Sequence, residues 1–425
     1  GIRKGDKVML ILKRRYEFYF AVFALAKIGA AYIPSTNQLT EKDIIYRNNA
    51  ASIKMIIAYN EPDIVQHVEK SIDKSPTVKS YALVGINDDE SESGQKDKSG
   101  EKDNSNSLYR GKWLDFGKCV EKASEQWTRP VGEEANVNSD IMIIYFTSGT
   151  TSMPKMAAHD FTYPLGHIVT AKYWHRVQEG KLHLTVADSG WAKFGWGKLF
   201  GQWICGAVQF VYDMNRFDPC KLLEKMEQYK ITTFCAPPTI YRFILQKDLK
   251  GYDLSSMKYC STAGEPLNPE VYNRFLSQTG LHIMNGFGQS ETSVLVAHFE
   301  WLNIQPGSMG MPNPVYDIDI VDEDGNSCPA GVEGELVVRG VDTNKPVGIF
   351  CGYYKDEETT KKVWHDDAYH TGDIAYRDEH NVLWFVGRVD DVIKASGYRI
   401  SPFEVESALI AHPAVVECAV TGAPD

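Results

Sequence analysis

Residues 141–160 read IMIIYFTSGTTSMPKMAAHD, an apolar run that passes without a break into hydroxyls, one glycine and a lysine. The apolar part has the length and texture of a buried strand. After it come Thr147, Ser148, Gly149, Thr150, Thr151, Ser152 and Lys155, which offer hydroxyl and amide donors, one position of close backbone approach and a positive charge. Such a set suits a phosphate group, and a Ser/Thr/Gly run suits an ordinary turn equally. No GxxxxGKS/T motif occurs and no GxGxxG opens a helix, so a nucleotide site here requires another architecture.

Outward from this stretch, short apolar runs alternate with longer amphipathic ones: Val8 to Leu12, Ala31 to Pro34, Met55 to Ala58, Tyr81 to Val84, Leu182 to Ala187, Thr232 to Ala236 and Lys258 to Thr262. Strands separated by helical segments predict an α/β fold, doubly wound, with parallel sheets covered on both faces. From about residue 315 the runs crowd together, Asp317 to Val321, Glu335 to Arg339 and Val382 to Phe385, with turn residues Glu323-Asp324-Gly325-Asn326 between the first two. That pattern predicts an antiparallel, barrel-like part at about 305–389. Asp322 and Asp324 do not have calcium-loop spacing, and a hairpin turn is the reading. Residues 88–107 contain no apolar side chain and read as a solvated surface loop.

At 425 residues, with 43% apolar and 24% charged, the chain is long enough for two to four globular units and too apolar for general disorder. Its 45 basic and 56 acidic residues leave a net charge of -11, which argues against a nucleic-acid partner while allowing a local basic groove. Eight cysteines stand singly without a CxxC pair, so neither a zinc site nor a disulfide framework is expected, and a cytoplasmic compartment fits. The most membrane-like stretch, Phe18 to Ile33, is broken by Lys27 and Gly29 and reads as a helix followed by a strand. The chain opens Gly1-Ile2-Arg3 without an initiator Met, so its natural start is expected upstream and organelle targeting stays open.

Four further stretches follow in order: Ser261-Thr262-Ala263-Gly264-Glu265-Pro266; Asn285-Gly286-Phe287-Gly288-Gln289-Ser290-Glu291-Thr292; Tyr369-His370-Thr371-Gly372-Asp373; and Gly387 to Ile400, GRVDDVIKASGYRI. Together with residues 141–160 they resemble the ordered motifs of the adenylate-forming, AMP-binding superfamily. Asp188-Ser189-Gly190-Trp191-Ala192-Lys193 and Lys198 to Trp203 make the likeness strongest to medium-chain acyl-CoA synthetases. The resemblance implies an AMP-forming acid-thiol ligase that activates a small or medium carboxylic acid with ATP and Mg²⁺ and passes the acyl group to CoA. It divides the chain into a large domain, 1–389, and the beginning of a small mobile α+β lid, 390–425.

By the same likeness, Glu291 would hold Mg²⁺ and Ser290, where many relatives carry Thr, would donate to the α-phosphate. Lys155 and the hydroxyls from Thr147 to Ser152 would hold the β and γ phosphates. Adenine would lie between the backbone of Gly264, Glu265 and Pro266 and the ring of Phe287, in the segment that runs through Asn285, Gly286, Gly288 and Gln289. Asp373 would accept from the ribose diol with Arg388 nearby. Asp390 would be the hinge, with Lys394 catalytic and Ser396, Gly397 and Arg399 on the CoA side. Screening is needed on general grounds, since a carboxylate approaching a polyphosphate is repelled.

Trp191, Lys193 and Trp196, with Gly286, would line the acyl pocket, where bulky indoles favour a compact, branched or aromatic acid. A helix of core aromatics with Lys193 extended toward solvent accounts for the same residues. His159, His282 and His370 read as structural, and no base for the thiol is recognisable. The superfamily's late lysine is missing from the 425 residues, so weakened adenylate formation is expected. A carrier-protein-loading adenylation domain and a non-catalytic nucleotide binder of the same fold are the rival readings, and a homodimer is compatible with all three.

Overall fold

The computed structural model describes residues 1–86, 113–147, 153–214, 216–391, 393–395, 398–410, 412, 414–415 and 418–422. The expected solvated loop at 88–107 lies outside them, as do Ser148 to Ser152, Ser396 and Gly397. The chain folds as two compact units, the first made of Gly1–Phe161 with Asp188–Trp191 and Val211–Asp213, the second of the remainder.

In the first unit the strands are β1 (Lys7–Ile11), β2 (Ala31–Pro34), β3 (Met55–Tyr59), β4 (Ser80–Val84), β5 (Trp113–Asp115), β6 (Ile141–Thr147) and β7 (Lys155–Asp160). They form one sheet in the order β5-β4-β3-β1-β2-β6-β7, parallel everywhere except at β6 and β7. Nearly continuous apolar runs such as Val8 to Ile11 and Ala31 to Pro34 are buried along their length, as a sheet covered on both faces requires. The stretch that looked membrane-like is the helix Tyr16–Lys27 followed by β2. Phe18, Val22 and Leu25 of that helix are buried, whereas Tyr16 and Phe20 are exposed. Crossover helices start where the sequence supplies caps: Thr40 and Asp43 satisfy each other's backbone at the head of Glu41–Ala51.

The second unit contains β8 (Leu182–Thr185), β9 (Val208–Gln209), β10 (Thr233–Cys235), β11 (Tyr259–Ala263), β12 (Ile283–Gly288), β13 (Val294–Ala297) and β14 (Met311–Pro312). These form a second sheet, β14-β13-β12-β11-β10-β8-β9, parallel from β9 to β12 and antiparallel beyond. The antiparallel edges of both sheets, β7 and β13 with β14, were not among the strands predicted from sequence. β15 (Asp317–Val321), β16 (Gly334–Arg339), β17 (Trp364–His365), β18 (Ala368–Arg377) and β19 (Leu383–Arg388) make an antiparallel sheet in the predicted region, with β18 between β16 and β19. The turn after β15 is a hairpin turn as read: Asp322 Oδ1 accepts from the amides of Asp324 and Asn326 at 3.0 and 2.8 Å, and Gly325 sits at φ +80°. A short pair, β20 (Ile393–Ala395) and β21 (Tyr398–Ile400), precedes the helix Pro402–Ile410.

All eight cysteines are free thiols. Among the described residues no helix is long and apolar enough to cross a membrane.

Candidate active site

Thr147 and Lys155 face each other across the β6–β7 hairpin, so the hydroxyl-rich residues form the connection between two paired strands. Tyr46 fixes the far side of this connection by donating to the Pro154 carbonyl at 2.9 Å. Its ring also meets Phe146 edge-on at 6.1 Å, over which the Arg47 guanidinium lies at 4.7 Å.

A second hairpin, β12 to β13, carries Phe287 to Thr292 within the second unit. Its turn is held from β18 by the side chains of Tyr369 and Asp373 and by the backbone carbonyl of Thr371, whose own hydroxyl is turned to the Leu336 carbonyl. The Gln289 amide donates to the Thr371 carbonyl at 2.8 Å and to Asp373 Oδ2 at 2.5 Å, and it accepts from the Tyr369 hydroxyl at 2.5 Å. Arg388, directly opposite Asp373 on β19, donates to the Thr371 carbonyl at 3.2 Å and pairs with Asp373 Oδ1 at 3.5 Å. Gly372, at φ +70°, lies under the guanidinium, and an added Cβ would come within 3.2 Å of it. Asp373 is buried, which pushes its carboxyl up to about 6 even with Arg388 beside it.

Glu291 is also buried, at 9% exposure. Tyr353 donates to its Oε1 at 2.8 Å, and the Phe350 amide donates to its carbonyl at 2.7 Å. Among the described residues no group of three or more His, Cys, Asp or Glu could hold a metal ion. A divalent ion would therefore rest on Glu291 together with phosphates and water, the manner in which Mg²⁺ is usually held, and a buried carboxylate oriented by a neutral donor fits that use. Ser290 is half-buried between Gln289 and Glu291.

The turn after β11 leaves Gly264, Glu265 and Pro266 exposed, with Gly264 at φ +97°. The Glu265 carboxylate accepts from Thr239 at 2.8 Å, so the side chain is turned to the helix Pro238–Ile244 and the backbone is left on the surface. Phe287 is half-buried, and its ring lies 6.2 Å from that of Phe385, a neighbour that nothing in the sequence singled out. Asn285 donates to the Ser308 carbonyl at 3.0 Å and acts as a brace of the loop there.

The aromatic segment divides between the units. Trp191 belongs to the first and is 56% exposed. Gly190, whose added Cβ would lie 2.3 Å from the Thr36 amide nitrogen, donates at 2.8 Å to Asp188, so that carboxylate holds its own turn. In the second unit, Phe194 and Trp196 on the helix Ala192–Lys198 are buried as core residues. Lys193 is turned inward and donates to the Ala263 carbonyl at the end of β11. Burial pulls its ammonium down to about 8. Behind Gly286 stands Trp174, whose ring would meet an added Cβ at 2.5 Å and whose N–H donates to the Met284 carbonyl at 3.0 Å. Sequence reasoning missed Trp174, because only the fold brings it to a glycine more than 100 positions away.

Asp390 pairs with Arg388 at 3.5 Å, and the strands that follow place Lys394 opposite Arg399 in register. The three histidines are tied locally: His370 to Glu335 at 2.9 Å, His282 to the Tyr272 hydroxyl at 2.5 Å, and His159 fully buried.

The model of the AMP-binding enzyme family matches residues 1–354. The chain belongs to that family. Human acyl-coenzyme A synthetase ACSM4, mitochondrial, is 40% identical over 426 aligned residues, which cover 100% of this chain and 69% of that protein. Human ACSM3, also an acyl-coenzyme A synthetase named mitochondrial, is 37% identical with 68% of its length covered. Among solved structures, the anthranilate CoA ligase AuaEII in complex with anthranoyl-AMP superposes with a TM-score of 0.86 at 26% identity, over 100% of this chain and 76% of that one. An acyl-CoA synthetase from Brucella canis gives 0.78 at 27%, covering 100% of this chain and 72% of that one. In this AMP-binding enzyme two carboxylates, Glu291 and Asp373, are buried in the same unit.

Proposed function

We propose that this AMP-binding enzyme is an ATP-dependent acyl-CoA synthetase for small or medium carboxylic acids. The observation that carries the reading is the pair of buried carboxylates, Glu291 and Asp373, fixed in one unit by Tyr353, Gln289 and Arg388. A protein that only binds a nucleotide needs the ribose-type grip but not a second buried acid beside it. In the first half-reaction the substrate carboxylate oxygen attacks the α-phosphorus of ATP, and the bond to pyrophosphate breaks. In the second, a thiolate attacks the acyl carbonyl and AMP departs.

Each residue has a role consistent with its setting. Asp373 accepts from the ribose diol with Arg388 holding its orientation. Exposed backbone at Gly264 to Pro266 and the faces of Phe287 and Phe385 suit a flat heterocycle. Lys155, Thr147 and the hydroxyls between them would neutralise and orient the outer phosphates, and Ser290 would donate to the α-phosphate. Mg²⁺, when bound at Glu291, would screen the phosphate charge that otherwise repels the incoming carboxylate. Asp390 is the proposed hinge between 1–389 and 390–425, with Lys394, Ser396, Gly397 and Arg399 serving the thiol half-reaction.

Trp174 behind Gly286 and Trp196 beside Gly288 give the acyl region a shallow aromatic floor, which supports a compact, branched or aromatic acid. The free thiols fit a reducing compartment, the cytoplasm by composition and the mitochondrion by the names of the relatives; fractionation of the native source decides between them. Assembly as a homodimer is a further proposal, checked by sedimentation.

The test is a coupled assay over short, branched, aromatic and medium linear acids with ATP and CoA. Acid-dependent pyrophosphate exchange without CoA, and AMP plus acyl-CoA with it, are expected. ADP as product, or exchange indifferent to acid, would overturn the assignment. Replacing CoA by a phosphopantetheinylated carrier protein discriminates the carrier-loading alternative.

A further inference from the structure

The hydroxyl of Tyr353 touches neither substrate nor phosphate in the chemistry set out above, yet the residue is buried at 7% exposure and donates to the Glu291 carboxylate. We propose that Tyr353 is a positioning residue for Glu291, its phenol fixing the orientation in which that carboxylate meets a nucleotide-bound divalent cation. The inference rests on the reading of Glu291 as the metal carboxylate.

Three features support it. First, one short segment grips Glu291 twice, the Phe350 amide at its carbonyl at 2.7 Å and the Tyr353 hydroxyl at Oε1 at 2.8 Å, so backbone and side chain are set together. Second, that segment is itself anchored. The Tyr353 amide donates to Thr360 Oγ1 at 2.8 Å, and the same hydroxyl donates to the Asp356 carbonyl at 2.8 Å. Gly352 passes at φ +109° so close to Thr360 that an added Cβ would lie 2.9 Å from its Cγ2. The ring of Phe350 meets those of Tyr353 and Tyr369 edge-on, 5.2 Å from each. Third, the donor is neutral. An ammonium or guanidinium at that point would orient the carboxylate and also cancel the charge a cation needs, whereas a phenol orients it and leaves the charge in place.

The experiment measures Mn²⁺ binding by electron paramagnetic resonance in the presence of α,β-methylene-ATP for the wild type, Tyr353→Phe and Glu291→Gln. Without this bond the carboxylate must be ordered again when the cation binds, so the Mn²⁺ half-saturation concentration should rise roughly three- to tenfold. AMP affinity without metal should stay within about twofold and acts as the fold control. Should Tyr353→Phe fail to fold, Thr360→Val replaces it and should raise the half-saturation at least about threefold. An unchanged half-saturation in the folded hydroxyl variant, with Glu291→Gln strongly weakened, overturns the positioning role and leaves the proposed function standing. Wild-type affinity in Glu291→Gln overturns the metal reading of Glu291 and the inference with it.

Discussion

The β6–β7 and β12–β13 hairpins do the same thing to the backbone and are built by different means. Each turns the chain back at the point where a parallel sheet becomes antiparallel, and each carries a candidate phosphate or metal group, Lys155 in one and Glu291 in the other. In the first hairpin the chemistry is written into the connection, as hydroxyls and a lysine within nine residues. In the second the connection is ordinary, and its geometry is imposed by Tyr369, Asp373 and Tyr353, which arrive from elsewhere in the chain. A loop that must wrap flexible phosphates can carry its own donors. A carboxylate that must present one orientation needs a frame.

The widest expected gap between the hairpins comes from removing their charged groups. Glu291→Gln should lower acid-dependent pyrophosphate exchange by roughly 10²–10³-fold, the scale of losing one preorganised electrostatic contact. Exchange within threefold of wild type would strip the second hairpin of its assigned role. Lys155→Ala should lower the same exchange by roughly 10²-fold while leaving thioester formation from a pre-made acyl-adenylate unchanged, because the outer phosphates have then gone. If both half-reactions fall together, the first hairpin serves more than the triphosphate.

Gly286→Ala sharpens the comparison on the strand that leads into the second hairpin. Its new Cβ would meet the Trp174 ring at 2.5 Å, so a loss of about 1–3 kcal/mol of stability is expected, read by denaturant unfolding. Adding Trp174→Leu should recover much of that and shift preference toward longer acids. A fully stable single variant would show that the indole can move aside.

The smallest effect is one of pH. The Asp373 carboxyl, raised by burial to about 6, takes up a proton as pH falls and then loses an acceptor for the ribose. AMP affinity should fall about tenfold from pH 7 to 5, and Asp373→Asn should flatten that profile. For the free protein the sign is opposite: a carboxyl whose folded pKa lies above its unfolded value costs stability as pH rises from about 4 to about 6. Relative to Asp373→Asn, the wild type should therefore lose melting temperature across that window. A wild-type AMP profile flat between pH 5 and 7 would remove Asp373 from the ribose.

What could be read from the residues follows the same division. Met55 to Ala58 and Ala31 to Pro34 are strands because apolar runs of that length between helical stretches have few alternatives, and both appear within a residue of the predicted bounds. The edge strands β7 and β13 were hidden, since KMAAHD and VLVA adjoin motifs whose composition speaks of chemistry rather than pairing. Glu291, Asp373 and Arg388 stood out by motif. Tyr353, Trp174 and Phe385 did not, because each matters only through a partner 62 or more positions away, and no local pattern marks an aromatic as a brace.

Strand β18 pairs with β16 and β19 through a shift in register on each side, between Glu335 and Val337 and between Ile374 and Ala375, and Thr371 to Asp373 lie in the short span that these irregularities adjust. A molecule that closed this sheet one residue out of step would turn Asp373 and the other side chains of β18 to the opposite face, while the two seven-stranded sheets kept their interiors, and so would look sound by compactness alone. Retention on an immobilised-AMP resin should therefore sort faithfully assembled molecules from misassembled ones in a purification where size and solubility make no distinction.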